Sequence, residues 1–401
     1  MGISVVSNAI FYYGVDVPKN PYYSNGMELF RKIFGGIDWI LFFSIIPLLG
    51  AGLITMNSFV GENYFFDKQI IWIAISITAF FALSLFDFRF LKRADLLAVL
   101  FLLLCGVLVF TLALGKTVKG AQSWLDFGFF SFQPSDPVKI LLIIILAKYF
   151  SRRHIEIAHL RHILVSGLYA FIPFVLVFFQ PDFGSAIILF FIWLGMIMVS
   201  GVSKKHLLLV TLILAVSFTV FWLFIFKPYQ KARIVTFLHP IADIHGAGYN
   251  ANQSTIAVGS GQLLGKGVGY GTQSRLKFLP EYQTDFIFAA FAEEWGFGGV
   301  LLLFALFGIV IWRILANAMI GATNFEMLFG MGLAILFMSH FIVNVGMNMG
   351  LLPVTGIPMP FLSYGGSHLL TEFAGLGILM GMRRYGRAAH RDTMKNEFLG
   401  V

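Results

Sequence analysis

Leu96-Leu-Ala-Val-Leu-Phe-Leu-Leu-Leu-Cys-Gly-Val-Leu-Val-Phe-Thr-Leu-Ala-Leu114 carries no charge, while Lys92 and Arg93 lie just before it and Lys116 just after. A helix crosses the hydrocarbon core of a bilayer with about 20 largely apolar residues. A run of this length that is apolar on every face reads as a membrane span. The pattern recurs outward in both directions. Candidate spans run Trp39–Met56, Ile70–Leu85, Leu96–Leu114, Val138–Phe150, Ile163–Phe179, Phe183–Gly201 and Leu207–Phe226. After a long polar stretch come Phe286–Trp312, Met327–Val345 and Leu369–Met382. The expected fold is an all-α polytopic membrane protein of about ten transmembrane helices, with a large extracytoplasmic loop between the seventh and the eighth.

Composition agrees. Of the 401 residues, 58% are apolar and 12% charged, whereas soluble domains carry about a quarter charged residues. Such a chain cannot cover itself with a wettable surface, so lipid is its solvent. The net charge of +8 does not point to nucleic acid, because the basic residues are scattered between apolar runs. The enrichment of Lys and Arg in short cytoplasmic loops explains them better. One set of loops holds Arg89, Lys92 and Arg93, then Lys148, Arg152, Arg153 and Arg161, then Lys204 and Lys205, then Arg313. Lys19, Arg31 and Lys32 precede the first span, and Arg383, Arg384, Arg387, Arg391 and Lys395 follow the last. The opposite short loops offer little beyond Lys68, Lys116 and Lys119. Both termini are therefore expected in the cytoplasm: residues 1–36 as an N-terminal segment, 37–385 as the transmembrane domain and 386–401 as a tail. The first 35 residues hold no continuous apolar core of a cleavable signal, so insertion is expected to begin with the first span. Cys105, the single cysteine, cannot support a disulfide framework and reads as a packing residue.

That orientation puts the stretch 227–285 outside, together with the loops around Gln122–Asp136 and Gly350–Gly366, so the site is expected to be external. The large loop holds eight glycines between Gly246 and Gly271. Glycines let a backbone bend sharply or approach a ligand closely. Gly261-Gln-Leu-Leu-Gly265-Lys266 has the wrong spacing for a phosphate loop, and no Ser or Thr follows the lysine. The loop also carries Lys227, Lys231, Arg233, Lys266, Arg275 and Lys277 against Asp243, Glu281 and Asp285. Such a surface suits an anionic headgroup such as pyrophosphate, or simply ordinary anionic lipid.

Asp285 closes the segment Phe278-Leu-Pro-Glu-Tyr-Gln-Thr-Asp285 and precedes Phe286-Ile-Phe-Ala-Ala. A carboxylate where the chain re-enters the membrane is partly shielded from water, which makes it a better proton acceptor. It could equally be a helix cap, with Thr284 or Asp285 holding the first amides. Glu293 and Glu294 sit two turns further on, and acids at membrane depth are rarely idle; a cation such as Lys139 or Arg233 is the expected partner. Lys139 lies three residues after Asp136, in a helix opened by Pro137, and could face a phosphate or an internal acid. His340, Asn344 and Asn348 share one helical face. Such a stripe more often bonds neighbouring helices than substrate. His368 and Glu372 form a similar pair in the last span.

Long ordered matches connect these motifs to one family. They are Lys119-Gly-Ala-Gln-Ser-Trp-Leu-Asp126, Phe132-Gln-Pro-Ser-Asp136 with Lys139, Gln180-Pro-Asp-Phe-Gly184, and Tyr229-Gln-Lys-Ala-Arg233. Next come Gly248-Tyr-Asn through Gln253-Ser254 to Gly259-Ser-Gly261, Gly271-Thr-Gln-Ser274, and Leu279-Pro-Glu-Tyr-Gln-Thr-Asp-Phe-Ile-Phe288. Gly350-Leu-Leu-Pro-Val-Thr-Gly-Ile-Pro358 and Ser363-Tyr-Gly-Gly366 complete the set. From about residue 36 onward the chain resembles the SEDS proteins (shape, elongation, division and sporulation), the family of RodA and FtsW, and its wording is nearer the RodA branch. The resemblance implies a peptidoglycan glycosyltransferase that polymerises lipid II at the outer face of a bacterial inner membrane. It implies that Asp285 is the essential aspartate, and that Lys139, Arg233, Gln253, Ser254, Lys266, Thr272, Gln273, Glu281 and Ser363 lie at the substrate. It implies a class B penicillin-binding protein and other elongation-complex membrane proteins as partners. This chain departs from the pattern at Ser123, where arginine is usual, at Asp136-Pro137, and at His368 and Glu372, which replace smaller or neutral residues.

In lipid II the leaving group is undecaprenyl pyrophosphate on C1 of MurNAc, and the attacking group is the 4-hydroxyl of GlcNAc. Pyrophosphate leaves readily, so one carboxylate base with cationic neutralisation suffices where glycosidases need two carboxyl groups. A divalent cation, Mg or Mn, would fit the pyrophosphate, though no cluster of metal spacing identifies its ligands. Two other classes meet the helix count: a lipid-linked precursor flippase and a non-catalytic scaffold. A flippase needs polar groups facing both sides in turn, whereas here the unusual polar segments gather outside. The charge asymmetry makes a direct prediction: a reporter active only outside is expected to be silent at residue 155 and active near residue 260. The reverse pattern would overturn the outer placement of the site.

Overall fold

The computed structural model describes residues 35–58, 64–118, 121–128, 130–151, 160–202, 204–225, 247–276, 278–279 and 281–399, with residues 231, 235 and 237. Arg233 and the rest of its motif apart from Lys231 lie outside the described residues, as do Lys227, Asp243 and Lys277.

Each expected span is helical. In chain order the helices are α1 (Trp39–Asn57), α2 (Tyr64–Leu85), α3 (Ala94–Leu114), α4 (Ser135–Ser151), α5 (Leu160–Phe179), α6 (Phe183–Val199) and α7 (Lys204–Val220). Then come α8 (Ala247–Ser260), the short α9 (Thr272–Arg275), α10 (Ile287–Met319), α11 (Asn324–Asn348) and α12 (Gly366–Leu399). Six of them (α1, α2, α3, α5, α10 and α11) are long and apolar enough to cross a membrane; α6 is apolar but shorter. Helix α4 carries Asp136, Lys139 and Lys148 within 17 residues, and α12 runs on into a basic tail. The chain is thus a multi-pass membrane protein. Helix α3 buries only Leu97, Leu108 and Thr111. Its Leu102 and Leu103 stand 69% and 56% exposed, as a lipid-facing helix requires.

One element departs from an all-helical reading. Between α3 and α4 the chain forms a small antiparallel sheet of β1 (Lys116–Val118), β2 (Ala121–Asp126) and β3 (Ser131–Phe132). The turn after β2 is closed by Asp126, whose carboxylate accepts from Gly128 N (3.0 Å) where φ is +84°. A hydrogen bond from Lys116 (2.8 Å) draws the Asp126 carboxyl below the ordinary aspartate range.

Close helix packing rests on small residues. A Cβ on Gly377 of α12 would lie 2.9 Å from Phe80 O and Leu83 Cβ of α2. One on Gly381, four residues on, would meet Phe88 at 2.8 Å. This Gly-x-x-x-Gly pair lets α12 lie against α2 and the turn that follows it. Helix α11 is central, packed against α4, α6 and α10, and Gly332 admits Ile143 of α4 and Met196 of α6. At the far end of α10 from Asp285, Asp38 caps α1 through Ile40 N and Leu41 N. The same carboxylate takes Arg313 (2.5 Å), Asn317 (2.7 Å) and Arg383 (3.4 Å), which joins α1, α10 and α12.

Helix α10 is broken at Gly296, where φ is 64° and ψ −169°. The glycine run enters the break. Lys266 N and Gly267 N donate to Glu293 O and Glu294 O (3.0 Å each), and Phe297 N and Gly298 N donate to Gln262 O (2.8 Å) and Leu263 O (3.0 Å). Two carbonyls and two amides freed by the break thus find partners, as an apolar solvent demands. The glycines expected to approach a ligand approach this helix instead: a Cβ on Gly265 would sit 2.0 Å from Glu294 O, and one on Gly296 2.2 Å from Gly265 N. Gly296→Ala is expected to cost about 1–3 kcal/mol through strain at positive φ, visible as a lower melting temperature in detergent. Gly308→Ala, on the same helix with open space around its Cβ, is the neutral control. Equal melting of the two variants would contradict the packing described.

Candidate functional site

Asp285 ends a tight turn over residues 281–286 in which Glu281, at φ 52°, accepts through its carbonyl from Thr284 N and Phe286 N (3.1 and 3.2 Å). The capping position of α10 is Phe286, directly after Asp285. The main-chain carbonyl of Asp285 accepts from Asn344 Nδ2 and Asn348 Nδ2, at 3.0 Å each. Its side chain is half-buried and lies against Gly356, where a Cβ would be 3.5 Å from Oδ2.

The stripe on α11 binds neighbouring segments along its length. Asn344 Nδ2 also donates to Ile357 O (2.7 Å), and His340 Nδ1 lies 3.3 Å from Pro358 O. Asn348 Oδ1 accepts from Ala289 N (3.2 Å) and from Ser254 Oγ (3.2 Å), and Ser254 Oγ also reaches Asn348 O (2.9 Å). Ser363 Oγ donates to Thr284 O (2.7 Å) and accepts from Met359 N (2.8 Å), while Tyr364 N donates to Gln283 O (2.8 Å). The 281–286 turn, the 354–364 loop and α8 thereby converge on α11. Ser254 and Ser363 are buried, so the structure places both in the frame behind Asp285.

A second polar cluster lies between α4, α11 and α12. Lys139 Nζ, 3% exposed as a residue, donates to Asp136 Oδ1 (3.0 Å). Of the two partners open to Lys139, the structure shows the internal acid. Asp136 Oδ2 accepts from Ser367 Oγ (3.0 Å), and His368 Nδ1 stands 3.7 Å from Asp136 Oδ1. His368 Nε2 is 2.9 Å from Glu372 Oε1, and its ring stacks on His340 (centroids 4.8 Å). These side chains line a small cavity. Gln133 links the cluster onward: its N bonds Ser367 Oγ (3.2 Å) and its Nε2 bonds Asp182 Oδ2 (2.8 Å). Asp182 is itself the cap of α6, which accounts for both its oxygens.

The third cluster joins α10 to the glycine run. Glu293 Oε1 accepts from Lys266 Nζ (2.7 Å), Thr272 Oγ1 (3.1 Å) and Gln273 N (3.1 Å). The partner of Glu293 is therefore Lys266, not Lys139, and Arg233 lies outside the described residues. Backbone entry of the glycine run into the α10 break brings Lys266 there, a placement that no linear spacing encodes. Glu294 accepts from Gly269 N (2.8 Å). Thr272 is exposed, Gln273 and Gln253 are half-buried and Glu281 is exposed. Ser123 is buried in β2. Among the described residues no group of three or more His, Cys, Asp or Glu gathers to hold a metal. The polar residues that sequence reading missed are Gln69, Gln133 and Ser367. Gln69 bonds Ser363 O (3.2 Å) and Gly365 N (3.3 Å); a glutamine inside an apolar span was the available signal.

The Asp285 carboxylate thus sits where α10 begins, beside Gly356 and on a backbone held by Asn344 and Asn348. The family model of the FtsW/RodA/SpoVE cell cycle proteins matches residues 32–388. The chain is 40% identical over 292 residues to the peptidoglycan glycosyltransferase MrdB of Escherichia coli K12, covering 73% of this chain and 79% of that protein. Among solved structures it resembles a chain of a peptidoglycan synthase complex described as coordinating polymerization and crosslinking (TM-score 0.76, 28% identity, 87% of this chain and 98% of that one). It also resembles the rod shape determining protein RodA of Thermus thermophilus (TM-score 0.65, 27% identity, 86% and 96%). By motif, fold and overall likeness, the chain belongs to the FtsW/RodA/SpoVE family, the SEDS proteins.

Proposed function

We propose that this chain is a peptidoglycan glycosyltransferase that polymerises lipid II at the outer face of a bacterial inner membrane, with Asp285 as general base. The observation that carries the reading is the placement of Asp285: a half-buried carboxylate on a backbone held by Asn344 and Asn348, at the point where α10 begins. Its orientation follows the charge rule, with both termini cytoplasmic and the 227–285 segment outside.

Asp285 accepts the proton of the GlcNAc 4-hydroxyl of one molecule as that oxygen attacks C1 of MurNAc on another. The C1–O bond to undecaprenyl pyrophosphate breaks, and the pyrophosphate leaves with the bonding electrons. General-base help of this kind contributes about 10²–10⁴-fold. Lys266, Thr272 and Gln273, gathered at Glu293, are assigned to the sugar or pyrophosphate, with Gln253 and Arg233 carried over from their motifs. Ser254 and Ser363 act by holding the frame, Glu281 by shaping the turn, and Lys139 by balancing Asp136. The substrate tails would lie between helices, which gives a reason for building a polymerase inside a membrane. The likeness to a chain of a synthase complex supports a class B penicillin-binding protein as partner, within an elongation complex.

Asp285→Asn keeps the shape of the side chain and removes its basicity. The variant is expected to insert, melt normally in detergent and bind lipid II, yet lose about 10²–10⁴-fold in glycan synthesis. Glu281→Gln, on the exposed side of the same turn, is expected to lose far less. Near-normal synthesis by Asp285→Asn would overturn the assignment, and would turn the reading toward a scaffold.

A further inference from the structure

Phe361 is the strained point of the loop before α12. Its φ is 62°, in a region that bulky residues rarely adopt. Its ring is buried against Phe337 and Phe373, with centroids at 5.3 and 5.9 Å. Its backbone N–H donates to Glu372 Oε2 (3.2 Å). Glu372 is 2% exposed, so this carboxylate needs a reason to be there. Its other oxygen faces His368 Nε2 at 2.9 Å, and His368 faces Asp136, which Lys139 holds. Two carboxylates and two bases therefore alternate through the helix interface, a balance that makes buried charge tolerable. The catalytic reading uses neither His368 nor Glu372.

The loop that Glu372 grips is the wall of the proposed site. Gly356 backs Asp285 Oδ2, Ile357 O and Pro358 O meet Asn344 and His340, and Ser363 Oγ holds Thr284 O. Phe361 sits between these fixed points, on the side facing α12. We propose that Glu372, held in place by His368, is a positioning residue for Asp285. By accepting from Phe361 N it sets the left-handed turn, and the turn keeps Gly356 and Ser363 against the segment that carries the base. This rests on Asp285 as the base. It also assigns a role to two residues that depart from the family pattern.

Glu372→Met keeps the volume and removes the acceptor; Glu372→Gln keeps the acceptor and removes the charge. Misplacement of a catalytic group by about 1 Å costs about 10²-fold. Glu372→Met is accordingly expected to lower kcat for lipid II polymerisation by about 10–100-fold with KM within about threefold, and to speed amide exchange across residues 358–364. Glu372→Gln is expected to stay within about threefold in kcat, with protected amides. A Glu372→Met variant that changes KM alone, or nothing, would overturn the inference. If Glu372→Met does not fold in a detergent melt, Glu372→Gln decides: a loss as deep as that of Asp285→Asn would overturn positioning by hydrogen bond. Asp285→Asn separates the two readings, since wild-type rates at Glu372→Met beside an inactive Asp285→Asn sink only the positioning role. An active Asp285→Asn sinks the base itself.

Discussion

One carbonyl carries much of the arrangement. Asp285 O accepts from two asparagine amides one helical turn apart, and the same amides tie the 354–358 segment and α8 to α11. In water such bonds would exchange freely; inside a bundle solvated by lipid, an unmade one is costly. Asn344 and Asn348 are fully buried, so removing either leaves partners stranded on several segments at once. The backbone that carries the Asp285 carboxylate is therefore fixed through bonds to its main-chain carbonyl. Such fixing suits the proposed base, which must be well placed to meet a substrate.

The break in α10 follows from the same constraint. A helix interrupted at membrane depth exposes carbonyls and amides that lipid cannot satisfy. The glycine run meets them with its own backbone, approaching to distances that any Cβ would forbid. The fit delivers Lys266, Thr272 and Gln273 to Glu293, so an acid in the helix is joined to the segment that follows α8. Structure and site are built by one packing event, at the end of α10 that also carries Asp285.

Much of this was legible in the sequence, and the limits have physical causes. The ten apolar stretches are visible because a lipid solvent imposes length and composition on each helix separately. Asp285 stood out because a carboxylate at a polar-to-apolar boundary is unusual, and the stripe His340, Asn344, Asn348 because helical periodicity is local. The glycine run was legible as a close approach but not as to what it approaches, since its partner lies thirty or so residues on, in a helix whose break at Gly296 has no proline to announce it. Lys139 left two partners open, and burial beside Asp136 depends on how α4, α11 and α12 pack. The small sheet between α3 and α4 was missed because its strands are too short to show an alternation. The chain of bonds from Glu372 to Phe361 could not be anticipated at all, because it needs a positive φ that no residue type there advertises.

A carboxylate base works only when deprotonated, so its reaction slows as pH falls through its titration. The most direct measurement is the pH dependence of kcat/KM for lipid II polymerisation, in the wild-type chain and in the residual rate of Asp285→Asn. A base at Asp285 predicts an acid limb in the wild type and its disappearance in the variant. An acid limb of unchanged midpoint in Asp285→Asn would contradict that role and assign the proton to another group.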